Sequence, residues 1–105
     1  MKLEQARRFA LSLPETAEAP HFNYTSFRVA GKIFATAPPE GAHLHVFVEE
    51  EQRETALAME PGCLEKLHWG KQVVGLRVTL SKAKPKFVES LLRKAWARKA
   101  PKRLL

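Results

Sequence analysis

Lys82, Lys84 and Lys86 fall on alternate residues of the stretch TLSKAKPK (79–86), where an apolar strand pattern gives way to a helical one. Alternate side chains of an extended chain point the same way, so three ammonium groups could line one edge of this connection. The chemistry they offer is phosphate binding, by direct pairing and by release of the counterions around a polyanion. Lys71 lies in the turn before the same strand, Arg77 alternates outward from Leu76 and Val78, and Arg93 and Lys94 follow on the next helix. With Arg28 and Lys32 of an upstream hairpin they complete the candidate cationic set. Trp69, in the turn-rich segment HWGK, is the candidate for stacking on an unpaired base or wedging into a groove. Phe22 and Tyr24 carry the same kind of ring, whereas Trp96 shares the inward stripe of a helix with Leu92 and reads as core.

The chain has 105 residues and a net charge of +7, unevenly placed. Residues 1–65 hold ten Glu against six Lys/Arg, and residues 66–105 hold one Glu against twelve Lys/Arg. That asymmetry points to an anionic partner, either DNA or an acidic protein or peptide, for the C-terminal half. The competing reading is a solvated surface whose basic half pairs with its acidic half. There is no aspartate, which excludes any Asp-based triad, aspartyl phosphate or Asp-rich metal site. His43 and His45 share one strand face but need a third ligand to hold zinc, and exposed strand histidines are far commoner than metal sites. The lone Cys63, near His68 but with no orienting partner, reads as packing rather than as a nucleophile. No Gly-rich phosphate loop is present, and Gly31, Gly41, Gly62, Gly70 and Gly75 fit turns or a close approach within a strand. We therefore expect a non-enzymatic protein without a cofactor. A single cysteine and the lack of any signal-like or spanning segment suggest a reducing, cytoplasmic setting. The apolar stripe of the last helix is the obvious cover for the sheet, so no membrane association is expected, and a monomer or weak homodimer is the expected state.

These residues must be positioned by a small set of elements. Leu3, Ala6, Phe9, Ala10 and Leu13 recur at helical spacing until Pro14. Residues 14–24 read as a polar connection. Residues 26–29 and 32–36 flank Ala30-Gly31 as a hairpin, and 43–48 resume a third strand. Glu49 to Glu60 forms an acidic-fronted helix closed by Pro61-Gly62, residues 63–69 leave room for a short strand, and 74–80 alternate as another. Pro85 opens a last helix with Val88, Leu91, Leu92 and Ala95 inward. The expectation is one α+β domain over residues 1–105, two layers deep, with helices covering one face of a mainly antiparallel sheet.

The segments LSLPETAEAPHFNYTSFRVAGKIFAT, HWGKQVVGLRVTL and KFVESLLRKAWARKAPKRL resemble the MmcQ/YjbR-like family of small bacterial proteins over nearly the whole chain. The shared features are structural punctuation and packing positions, and Leu44-His45-Val46-Phe47 departs from the Leu-Lys-Cys strand of some members. The resemblance implies an α-β3-α-β2-α order of the secretion-chaperone type. It also implies a DNA-binding role, by likeness to the double-wing domain of a phage transcription factor. Its alternatives are a module that holds a peptide on its sheet and, more distantly, a small-molecule or metal binder.

Overall fold

The structure, a computed structural model, describes residues 1–105. Its helices are α1 (Leu3–Ser12), α2 (Glu50–Met59) and α3 (Pro85–Lys99), with short 3-10 turns at Leu80–Lys82 and Lys102–Leu104. The strands are β1 (Thr16–His21), β2 (Tyr24–Val29), β3 (Lys32–Ala37), β4 (His43–Val46), β5 (Leu64–Trp69) and β6 (Gln72–Thr79), paired antiparallel in the order β1-β2-β3-β4-β6-β5. The expected α+β class stands, and residues 63–69 do form a strand. The connection expected over 14–24 is corrected: it contains β1, so four strands precede α2 rather than three. Its sequence, TAEAPH, has little strand propensity, and one neighbouring strand and a helix hold it in place. Its backbone pairs with β2, and Glu18 accepts a 2.7 Å hydrogen bond from Arg7 Nε of α1.

Directly opposed residues on paired strands share a face, so the register sorts the sheet into rows. The row Glu18–Phe27–Ala35–Val46–Leu76–Lys66 faces the helices, apolar in its middle and charged at both ends. Lys66 pairs with Glu54 of α2 at 3.1 Å, as Glu18 does with α1. The neighbouring row Ala19–Ser26–Thr36–His45–Arg77–Glu65 faces away from them. Between sheet and helices lies a core that includes Phe27, Phe34, Leu44, Leu76, Val88, Leu91 and Leu92. Each such side chain contributes about 1.5–3 kcal/mol relative to leaving it in water. Trp96 joins this core, and its Nε1 donates to Pro14 O at 3.0 Å, tying α3 to the start of β1.

Two irregularities shape the open face. Register shifts at Phe27/Arg28, in the β2–β3 pair, and at Leu67/His68, in the β5–β6 pair, put a bulge on each side of the sheet, and bulges strengthen local twist. In addition, β3 and β4 pair only through Ala35↔Val46 and Thr36↔His45, after which the chain leaves the sheet beside Gly75. A Cβ on Gly75 would lie 3.1 Å from Phe47 Cα and still closer to the Val46 carbonyl oxygen, so this crossing requires glycine.

Candidate functional site

The outer hairpins β1–β2 and β5–β6 flank a cavity of about 870 Å³ on the open face. Because strand direction alternates, the two hairpin tips lie at opposite ends and opposite sides of the sheet. The β1–β2 tip presents Phe22, 93% exposed, and the β5–β6 tip presents Trp69, 81% exposed. Tyr24 and Phe47 add two more rings to the lining, and His21, His45 and His68 add three imidazoles. At the Trp69 end, where β4 departs, Arg53 of α2 and Arg98 and Lys99 of α3 reach the same space. No carboxylate lines it. Lys71 stands beside this end, in the Gly70-Lys71 turn between Trp69 and Gln72.

The candidate cations do not share one rim. Lys32, the first residue of β3, and Lys71, in the β5–β6 turn, lie at the same end of the sheet. Arg28 and Arg77 lie on the open face. Arg28 donates to Ser26 Oγ at 3.0 Å and to Pro20 O at 3.4 Å, with no carboxylate nearby. Arg77 stands 3.5 Å from Glu65 and 3.2 Å from His43 Nδ1. Lys82, Lys84 and Lys86 sit beyond the far end of β6, whose eight residues span about 25 Å. They do not line an extended edge. The 3-10 turn carries Lys82, α3 begins after Lys84, and Lys86 is within the helix. Lys84 is also 3.5 Å from Glu60. Arg93 lies over the Phe9 ring at 5.4 Å in the helix layer, and Lys94 is exposed on α3. The two halves of the chain do pair in part, through Lys66–Glu54, Lys84–Glu60, Arg98–Glu49 at 4.0 Å and Arg103–Glu15.

His45 is corrected from an exposed strand histidine to a buried one, 7% exposed, its ring 5.9 Å from Tyr24 and its Nε2 without a partner. No group of three or more metal-ligating side chains gathers around it or elsewhere. Burial, reinforced by the Arg77 charge, lowers its pKa from the ordinary 6.5 and favours the neutral ring. The unfolded chain therefore takes up the proton first. The stability this contributes is complete above about pH 6.5 and is lost as pH falls through the folded-state value. The urea midpoint is expected to drop between about pH 7 and pH 5, and His45→Gln to flatten that slope. An unchanged slope in the variant contradicts the assignment. Cys63 is buried, and burial pushes its thiol up, away from the reactive thiolate. No helix is long and apolar enough to cross a membrane.

Phe22, which the sequence offers as a ring able to stack, lines the cavity from a hairpin tip, and Arg98 and Lys99 line it although the charge and spacing arguments pass over them. A hairpin tip within 14–24 was the missing signal for Phe22. The cations at the end of α3 meet the β5–β6 hairpin only through the tertiary fold.

The fold is similar to that of a solved structure. The Deinococcus radiodurans protein DR2400, which carries the domain DUF419, superposes with a TM-score of 0.75 over 90% of this chain and 75% of its own, at 18% identity. That likeness is one of fold. No curated protein matches the chain. The YjbR family model matches residues 11–98, a span that runs from the last turn of α1 through both hairpins and the cavity-lining end of α3. Sheet, hairpins and sequence match thus agree, and the chain belongs to the YjbR family.

Proposed function

We propose that this protein is a non-enzymatic nucleic-acid-binding protein that uses the open face of its sheet. The observation that carries this reading is the lining of the cavity: four aromatic rings, three imidazoles and three cations, with no carboxylate. Rings offer flat apolar faces to bases, and cations at the same end offer partners to phosphates, a pairing that suits polynucleotides. The cations most concerned are Lys71, Arg98 and Lys99, with Lys32 and Arg28 adjoining. Lys82, Lys84 and Lys86, which the sequence places at the centre of the site, lie outside it in this reading. Arg77 is held by Glu65 and His43 and acts chiefly in the open-face network.

A peptide added to a sheet edge is less favoured. The β1 edge contains Pro20, and the β5 edge carries Glu65, Lys66 and His68, all features that discourage strand addition.

Amide chemical-shift mapping with an oligonucleotide tests the placement. Shifts are expected at residues 21–24, 67–74 and 98–99, with α1 undisturbed. Shifts confined to 82–86 and the outer side of α3 contradict it.

A further inference from the structure

Phe22 combines two features that folding does not explain. It is the first residue of the two-residue turn between His21 and Tyr24, with φ of +58°, a backbone region costly for a bulky L-residue and natural for glycine. Its ring is also 93% exposed, and meets the His21 ring edge-on with centroids 4.9 Å apart. The strain is not offset by burial. At the diagonally opposite corner Trp69, the other large aromatic of a hairpin tip, is 81% exposed beside Gly70 and Lys71. Two projecting rings, one on each hairpin, bracket a groove whose charged lining is entirely cationic.

We infer that the open face takes a single-stranded polynucleotide rather than a duplex, with unpaired bases stacked on Phe22 and Trp69 and the strand running between them. This rests on the nucleic-acid reading above and narrows it to one substrate class. In a duplex the base faces are already stacked on one another, and the backbone presents phosphates, which are poor partners for exposed rings. A single strand offers free faces to both tips and phosphates to Lys71, Arg98 and Lys99. The diagonal between the tips is roughly 25 Å by strand spacing and rise. A strand crossing it fits the site sizes of about 4–16 nucleotides found for small single-strand binders.

The test compares a thymidine oligonucleotide of about twelve residues, its ribouridine counterpart and a DNA duplex of equal length. Binding is followed by anisotropy of a labelled strand and by the fluorescence of Trp69, since Trp96 is buried. Both single strands are expected to bind more tightly than the duplex and to quench Trp69, and any preference between them identifies DNA or RNA as the source. Trp69→Ala and Phe22→Gly are each expected to weaken single-strand binding about 5- to 150-fold, the loss of one base stack. Phe22→Gly is also expected to raise the urea midpoint, because it relieves the turn; this readout shows that lost binding is not lost folding. Duplex binding as tight as or tighter than single-strand binding, or single-strand affinities within about twofold of wild type in both variants, overturns the inference while leaving nucleic-acid binding intact. Absence of binding to all three probes overturns the broader reading with it.

Discussion

Gly75→Ala is expected to destabilise the fold by about 2–3 kcal/mol, among the larger effects of a single methyl group. The cause is specific. The backbone of Val46 and Phe47 passes so close to Gly75 that a Cβ would be 3.1 Å from Phe47 Cα and from the Val46 carbonyl carbon, and closer still to the carbonyl oxygen. These are backbone atoms at the end of β4 and just beyond it, and they cannot swing aside as a flexible side chain would. Relief requires β4 to move off β6, which weakens the Val46↔Leu76 pair and the buried Val46 and Leu76 side chains with it. For a domain of this length the loss corresponds to a melting temperature lower by roughly 10 °C or more. Gly62→Ala is the control: a Cβ there meets nothing within 4 Å, and its φ is not positive. Its stability should stay within about 0.5 kcal/mol of wild type. A Gly75→Ala protein as stable as that control contradicts the crossing of β4 and β6 described above.

The second large effect concerns binding. Lys71→Gln/Arg98→Gln/Lys99→Gln and Lys82→Gln/Lys84→Gln/Lys86→Gln each remove three positive charges from a protein of net +7. Global electrostatics therefore changes equally in the two variants, and only position differs. On single-stranded nucleic acid each phosphate contact contributes a slope of about 0.7 in log affinity against log salt. Three contacts carried from about 1 M to 0.1 M salt amount to about a 100-fold difference. The first variant should lose about that factor at 0.1 M salt, whereas the second should remain within severalfold of wild type. Each set has one cation near a carboxylate, Lys84 at Glu60 and Arg98 at Glu49, so partial pairing does not distinguish the two.

Much of the fold follows from short-range pattern. The helix stripe of Leu3, Ala6 and Ala10, the Ala30-Gly31 turn with both residues at positive φ, and the inward face of α3 are each dictated by neighbours in the chain. The strand β1 is not, because Thr16–His21 gains its structure from β2 and from Arg7 rather than from its own residues. The resemblance to the YjbR family was readable in segments spread along the chain, and the family match covers the same ground. The site was legible in its chemistry more than in its place. Trp69 and Lys71 were identified from a turn whose hairpin holds them at the cavity mouth. Lysines at 82, 84 and 86 alternate only if the chain stays extended, and the 3-10 turn followed by Pro85 rotates them apart. His45 alternates with Leu44 and Val46 as an outward residue should, yet the curl of the sheet and the Tyr24 ring bury it. Arg98 and Lys99 lie far along the chain from Trp69, and the packing of α3 across the sheet brings them together.

The proposed phosphate-binding role of these cations is tested most directly by titrating salt against affinity for one single-stranded oligonucleotide, in wild type and both triple variants. The wild-type slope is expected near −3, from about four contacts, falling to about −1 when Lys71, Arg98 and Lys99 are neutralised and unchanged when Lys82, Lys84 and Lys86 are. A flat wild-type slope, or a slope that falls with the 82–86 set and holds with the other, would contradict the account.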